Sequence, residues 1–529
     1  MMNRILFISL LLIASLFQAQ AQKTELDDQI RKLVISAVTI NDHYVDSVNT
    51  EKLVEDAIRG MLEKLDPHSA YSTAEQTKRL NEPLQGSFDG IGIQFNILDD
   101  TLMVIQTITK GPSEKAGVMA GDRIISVGDT AIAGVKMPQE DIMKRLRGPR
   151  GTTARLGILR EGIDETIFID VIRDKIPLNS VDAAFMLTSH TGLIRFSNFG
   201  MTTHNEVVEA IDKLKEQGMQ NLVLDLTQNG GGYLQAAAEI ASEFLPKGDM
   251  VVYTKGRNRY YSQEMRSDGG QAFQQGKVIV LVDEYSASAA EILAGAIQDQ
   301  DRGIVVGRRT FGKGLVQRPV TLPDGSMIRL TISKYYTPSG RCIQKPYEKG
   351  KQQEYRMDVI NRFNHGELTN ADSIHFPDSL KFQTLREGRT VYGGGGIMPD
   401  YFVPLDTTKN TTIYRQIVAK RILVEENLRY LAKHRKEITE KYPTFEKFRK
   451  SYKVPTELIS NILGKAKKEM KEKYLPEEEE KTTQQLTLML RALVARDIWD
   501  MNEYFAIIYE DDEIVNKALQ LLEEDAKLQ

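Results

Sequence analysis

The sequence predicts a multidomain α/β protein, and three observations carry that prediction. The chain has 529 residues, which at ~150 residues per domain is room for three or four domains. Two runs, Asn221 to Leu226 and Lys277 to Asp283, read as buried strands, and each is followed by a helical pattern, as parallel βαβ units require. Between residues 86 and 174 the pattern changes to short strands broken by glycine turns, while both ends of the chain place apolar residues at helix spacing.

Composition narrows the chemistry. Lys and Arg number 69 and Asp and Glu 73, a net charge of −4. So even a balance argues against nucleic acid or an anionic membrane as the partner. Hydrophobic residues are 41% and charged residues 27% of the chain, too polar for a multi-span membrane protein. One thiol, Cys342, cannot form an internal disulfide, a CxxC pair or a thiolate-only zinc site. The seven histidines are scattered and no HExxH is present, so neither a metal centre nor a cofactor is expected.

After Arg4, the run Ile5 to Phe17 is almost wholly apolar, and Ala19-Gln20-Ala21 supplies small residues for cleavage. That is the layout of a signal peptide over residues 1–21. The run is too short to span a bilayer comfortably, so no retained span is expected, an uncleaved anchor being the alternative. The expected location is outside the cytoplasm, periplasmic in a diderm bacterium, with a membrane-adjacent position left open. Scarce cysteine suits an oxidising compartment. Residues 22–85 read as a helical arm. Leu26, Ile30, Leu33, Val34 and Ala37 mark one helix, Leu53, Ala57, Met61, Leu62 and Leu65 a second, and Asp66-Pro67 stops the second. His68 reads as a turn residue.

Residues 86–174 open with Gly90-Ile91-Gly92-Ile93 and a strand. Strand Met103 to Ile105, a turn at Gly111-Pro112-Ser113, the turn-strand Ala120 to Val127, a helix Met137 to Leu146, and two closing strands come next. Residues 175–406 form the α/β segment. Thr203 and Glu206 are spaced as a capping box opening the helix Val207 to Gln217, which Gly218 ends. Arg341 to about Arg389 reads as a polar, loop-rich insertion, and Gly393 to Gly396 as a hinge or tight turn. Residues 407–529 are helical and charged, with Glu477 to Glu480 reading as a solvated linker. Both helical ends suit a cap, an arm or a contact between copies, so a homo-oligomer is left open.

Three motifs in the α/β segment carry candidate chemistry. The first, Asp225 to Gly232, places three glycines after a strand, where they cost stability unless the backbone must approach something closely. The second, Tyr285 to Glu291, puts Ser288 at a helix N-terminus, where free N–H groups suit a developing oxyanion. The third, Thr310 to Gln317, sets Lys313 between Gly312 and Gly314. A serine needs a base, and a desolvated lysine serves in Ser-Lys variants of the catalytic triad. Read blandly, Ser286 and Ser288 are helix caps, Lys313 a surface charge, Asp225 a carboxylate bonding the glycine turn, and Glu291 a first-turn acid that bonds locally.

The order of elements over residues 86–174 closely resembles a PDZ domain. The resemblance implies a groove that adds a peptide as an extra strand and holds its carboxylate at the loop Gly90, Ile91, Gly92 and Ile93, with Ile91 to Ile93 as the backbone N–H donors and pocket wall. With that segment upstream, the three motifs look like those of the carboxyl-terminal processing peptidases. The resemblance covers roughly Val45 to Asp400 and implies a crotonase-like α/β core. It further implies Ser288 as nucleophile, Lys313, 25 residues later, as general base, and Gln317 as the residue orienting the lysine. Ala289 and Gly232, with Gly231 as the fallback, would form the oxyanion hole. This chain departs from the family pattern at Thr227, where an arginine is usual, and at Ala290, where a serine is frequent. The expected activity is serine endoproteolysis of proteins or peptides with free C-termini. A catalytically silent tail-binding scaffold or chaperone is the alternative.

Overall fold

The structure, a computed structural model, describes residues 25–108, 110–469 and 477–528. The signal-peptide reading of residues 1–21 lies outside the described residues. Two compact units are present, one formed by the N-terminal region to Thr77 with Gln317–Thr331 and Tyr347–Tyr355, the other by the remaining chain.

In the first unit a helix over 25–43 precedes the helix Thr50–Glu63, as the apolar spacing predicts. Asn49 caps the second helix, its side chain accepting the N–H of Lys52 at 2.9 Å. Asp66 organises the turn after this helix. Its carboxylate accepts the backbone N–H groups of His68 and Ser69, both at 2.9 Å, and the Thr331 hydroxyl at 3.0 Å. His68 is thus in a turn, and its ring meets the Tyr355 hydroxyl at 2.8 Å. The strand Ala70–Ser72 then pairs antiparallel with Met327–Arg329.

In the second unit, the β-rich segment is an antiparallel sheet in the order Ile93–Leu98, Thr101–Thr107, Arg123–Val127, Thr153–Leu159, Ile167–Ile172. Leu102, Val104, Ile124, Leu156, Ile158 and Val171 pack beneath it against Ile142 and Leu146 of the helix Gln139–Leu146. The ribbon of Ser87–Gly90 with Asp174–Pro177 brings the two ends of this segment together.

The central sheet has the order Val181–Met186, Thr191–Phe196, Asn221–Asp225, Val278–Val282, Ile304–Gly307, Tyr401–Phe402. The first pair is antiparallel and the rest are parallel. Its parallel strands run through the chain in one direction. Right-handed crossovers then leave the intervening helices on a single face. Helices Thr203–Glu216, Leu234–Ser242 and Ala289–Asp299 share one core with residues of that face. The opposite face, with Leu193, Val223, Ile279, Leu281 and Val306, needs another cover. The helix Glu513–Leu528 supplies it through Ile514, Val515, Ala518, Leu521 and Leu522. The end of the charged C-terminal region is therefore a layer of the α/β core, not only a separate appendage.

Two local expectations are corrected. The helix expected from Val207 starts at Thr203 and has no side-chain cap. Glu206 does not close a capping box, because its carboxylate is drawn to the N–H groups of Ser180 and Val181, at 2.6 and 2.9 Å. Glu477–Glu480 is the first turn of the helix Glu477–Ile498, where acidic residues complement the helix dipole, and not a linker. The segment after Arg341 is loop-rich, as expected, with short helices Gln352–Arg356 and Asp358–Asn364, and it is anchored to the core. Arg341 is fully buried and donates to Asp299 at 2.6 Å and Gln298 at 2.7 Å. Val515→Ala should lower the unfolding free energy by about 2 kcal/mol, read from the midpoint of a urea transition; an unchanged midpoint would mean the last helix does not support the sheet.

Candidate active site

The three motifs follow the carboxyl ends of three adjacent parallel strands, Asn221–Asp225, Val278–Val282 and Ile304–Gly307. Ligand sites of open α/β sheets lie at such edges. The first two turns are laced together. Asp283 Oδ1 accepts the backbone N–H groups of Tyr285, Ser286 and Gln228, each at 3.0 Å. Ser286 Oγ donates to the carbonyl of Leu226 at 2.8 Å, and Ala287 N–H donates to that of Asn229 at 2.9 Å. Ser286 is therefore a structural serine. Ser288, two residues on, is half-buried and has φ of 58°, a left-handed conformation that costs a non-glycine residue energy.

Glu291 holds this arrangement from inside. It is fully buried, and its carboxylate accepts four donors. These are Ser288 N–H at 2.8 Å, Thr310 Oγ1 at 2.5 Å, Gly312 N–H at 2.7 Å and Lys313 N–H at 2.9 Å. The backbones of Ser288 and Lys313 are thus fastened to one carboxyl group. Tyr335 fastens them a second time, its hydroxyl lying 3.1 Å from the Ser288 carbonyl and also donating to the Lys313 carbonyl. Burial pushes the Glu291 carboxyl up to about 7, and the four donors oppose that shift by favouring the charged form.

The loop bearing Lys313 is gripped by the segment that reads as an insertion. Gly314 N–H donates to Gln344 Oε1 at 2.8 Å, and Lys345 N–H to the Gly312 carbonyl at 2.9 Å. Arg362 donates to the carbonyls of Arg309 and Thr310 at 2.6 and 3.1 Å. A side chain at Gly314 would come within 2.7 Å of the Gln344 backbone nitrogen, so the loop admits only glycine there without moving. Lys345 is buried, with its ammonium on Asp358 at 2.8 Å and 3.8 Å from the centre of the Phe311 ring, and burial lowers its pKa.

The triple-glycine turn meets Ser288 directly. A Cβ on Gly231 would lie 2.8 Å from Ser288 Cβ and 2.9 Å from Ala289 N. Gly231 N–H already donates to Asn229 Oδ1 at 2.9 Å. Gly232 bridges to Phe199 through the Gly231 carbonyl and the Tyr233 N–H, which leaves its own N–H outside those two bonds. Asp225 bonds the turn as its strand-end position suggests, accepting Thr227 N–H at 2.8 Å. Gln317 lies on the strand Leu315–Thr321, and its amide donates to Thr331 Oγ1 at 3.4 Å.

In the β-rich segment, Ile91 and Gly92 give their carbonyls to the N–H groups of Ser113 and Ile108, both at 3.0 Å. Gly92 has φ of 72°, and Ile93 begins the terminal strand of the sheet. That strand offers an edge for one more. Two residues at the site escaped the sequence reading in their full role. Tyr335 carried no signal, because a tyrosine in a β-strand is ordinary; Glu291 carried one, the Ser-x-x-Glu spacing from Ser288, but that spacing marks many helix starts.

Known proteins agree with this organisation. Residues 190–352 match Peptidase family S41, residues 90–171 a PDZ domain, residues 12–76 the activating protease CtpB N-terminal domain, and residues 413–500 a family of unknown function. The carboxy-terminal processing protease CtpB of Bacillus subtilis is 35% identical over 389 residues, covering 70% of this chain and 78% of that protein. A probable CtpA-like serine protease of Staphylococcus haemolyticus is 31% identical over 438 residues, covering 82% and 85%. Among solved structures, the photosystem II D1 C-terminal processing protease is 28% identical with a TM-score of 0.33, covering 60% of this chain and 90% of that one. The family matches and these curated relatives define a PDZ-bearing serine peptidase. The chain belongs to the CtpA/CtpB family of carboxyl-terminal processing serine peptidases.

Glu291→Gln should weaken this site sharply. An amide nitrogen in place of either oxygen would face N–H or O–H donors, leaving buried groups unpaired at ~1–3 kcal/mol each. A fall in melting temperature and at least a tenfold fall in kcat are expected. The raised Glu291 carboxyl contributes stability that is present below about pH 4.5 and lost as pH rises through about 7. The glutamine variant should lack that component in its stability-versus-pH curve; an unaltered curve would show that Glu291 does not titrate there.

Proposed function

We propose that this peptidase holds the C-terminus of an unfolded or tail-exposed protein on the loop Gly90 to Ile93 and cuts an upstream peptide bond through Ser288. The observation that supports it most directly is the double fastening of Ser288 and Lys313 through Glu291 and Tyr335. Two residues far apart in sequence have no other evident reason to share both clamps.

In this mechanism neutral Lys313 takes the proton of Ser288 Oγ as the oxygen attacks the scissile carbonyl carbon. The N–H groups of Ala289 and Gly232 receive the oxyanion, and the commitment of the Gly231 N–H to Asn229 Oδ1 favours Gly232 over Gly231. Lys313 gives the proton to the leaving amine, and an acyl-enzyme remains on Ser288. Water then loses a proton to Lys313 and attacks the ester, which releases the acid and restores Ser288. Gln317 orients the lysine. The core is proposed to be crotonase-like, with a helical arm over residues 22–85, the PDZ domain over 86–174, the peptidase core over 175–406 and the helical region over 407–529. Among the described residues no helix is long and apolar enough to cross a membrane, and the proposed location is periplasmic.

Ser288→Ala and Lys313→Ala should each lower kcat on an unfolded protein by ~1000-fold or more. Cleavage at the wild-type rate by both variants would overturn the assignment. With a lysine base, kcat/KM should climb from pH 6 to 9, and a flat profile would argue against it. Amidation of a peptide's C-terminus should weaken its binding to the Ser288→Ala protein at least tenfold; equal binding would remove the proposed carboxylate loop.

A further inference from the structure

Asp225 ends the strand that leads into the triple-glycine turn, and its carboxylate is buried. Besides Thr227 N–H, it accepts Arg195 Nη1 at 2.6 Å and the hydroxyl of Tyr509. The same Nη1 donates to Thr227 Oγ1 at 2.9 Å. Arg195 comes from the neighbouring strand Thr191–Phe196, whereas Tyr509 comes from the C-terminal helical region. The Arg195 guanidinium lies 4.7 Å from the ring centre of Phe505, and Phe505 stacks on Tyr509 at 5.7 Å.

We propose that Tyr509 is a positioning residue for catalysis, setting the oxyanion turn through Asp225 and Arg195. The inference deepens the function proposed above and rests on its assignment of Ser288 and Gly232. The turn is held at three levels. Asp225, Arg195 and Tyr509 fix its root, Asp283 and Ser286 hold its middle, and Asn229 ties its tip by accepting Gly231 N–H and donating to the Phe196 carbonyl at 2.7 Å. Gln228, within the turn, has φ of 62°, a conformation that persists only where its surroundings over-determine it. Loss of one donor at the root leaves a buried carboxylate under-satisfied next to that strained residue. The turn then relaxes, and the Gly232 N–H shifts relative to Ser288. A displacement of about 1 Å at a reacting group can cost ~100-fold in rate. Burial holds the Tyr509 hydroxyl well above its ordinary pKa, so it remains a donor throughout the working pH range.

The test is Tyr509→Phe in the full chain, with Arg195→Lys as a second variant that keeps the charge but not the guanidinium fork. Each should lower kcat on a peptide substrate about tenfold, with KM within twofold of wild type. Affinity for a peptide boronate that forms a tetrahedral adduct on Ser288 should fall by the same factor. Binding of a free-carboxylate peptide to the PDZ segment should not change. A kcat within twofold of wild type in the folded variants overturns the inference, and so does a loss fully accounted for by a smaller folded fraction in near-ultraviolet circular dichroism. If Tyr509→Phe does not fold, Arg195→Lys alone decides between these outcomes. Should Ser288→Ala cut like wild type, the proposed function and this inference fail together. If Ser288→Ala is inactive while Tyr509→Phe matches wild type, only this inference fails.

Discussion

The buried carboxylate of Glu291 is the interaction on which the site depends. Four donors converge on two oxygens, one from a helix start and three from the single loop that follows strand Ile304–Gly307 and carries Lys313. A carboxylate serves here because it offers only acceptors, and charge-assisted bonds are about twice as strong as neutral ones. Taking such a group out of water is expensive, so its surroundings must supply every donor. The result is that Ser288 is held at a positive φ in the register of Lys313. Tyr335 sits on the carbonyl side of the same gap, its hydroxyl donating to the Lys313 carbonyl and lying 3.1 Å from that of Ser288.

The sheet makes that convergence possible. Neighbouring parallel strands end at one edge, so loops distant in sequence become neighbours. Asp225, Asp283 and Gly307 close or follow three adjacent strands, and each leads into one motif. A sheet wound in one direction also leaves a face bare. The last helix covers it, and the residues just before that helix include Tyr509, which reaches the first of the three strand ends. Fold completion and site support thus come from one segment.

Much of this was legible in the chain, and the illegible parts have physical reasons. Fully buried parallel strands read as unbroken apolar runs, so Val278–Val282 and the motif after it stood out. Ser288, Lys313 and the glycine turn were visible because costly residue types recur where backbone approach demands them. The cover provided by Glu513–Leu528 was not visible, because an apolar helix stripe says that a face is buried but not against what. The grip of Gln344, Lys345 and Arg362 on the Lys313 loop uses backbone carbonyls and buried ions, which have no periodicity to detect. Glu206 misled for a related reason. Its spacing from Thr203 fits a local cap, but two unpaired N–H groups distant in sequence compete for its carboxylate and win.

The C-terminal helices touch the rest of the chain in two unequal ways. At the β-rich segment, Leu98, Met103 and Ile105 form a small cluster with Leu428, and Arg429 grips Asp99 with two bonds of 2.5 and 2.6 Å. That ion pair is largely in solvent, and such pairs contribute about 0.2–1 kcal/mol. At the strand end, Tyr509 and Arg195 meet Asp225 in a buried cluster flanked by Phe505. Breaking it leaves buried polar groups without partners, each at ~1–3 kcal/mol. The helices therefore meet the PDZ segment through apolar contact and an exposed ion pair, and the central sheet through a buried polar cluster as well as apolar contact. One helical region thus places its buried tyrosine at the root of the triple-glycine turn and its exposed arginine at the hairpin between strands Ile93–Leu98 and Thr101–Thr107.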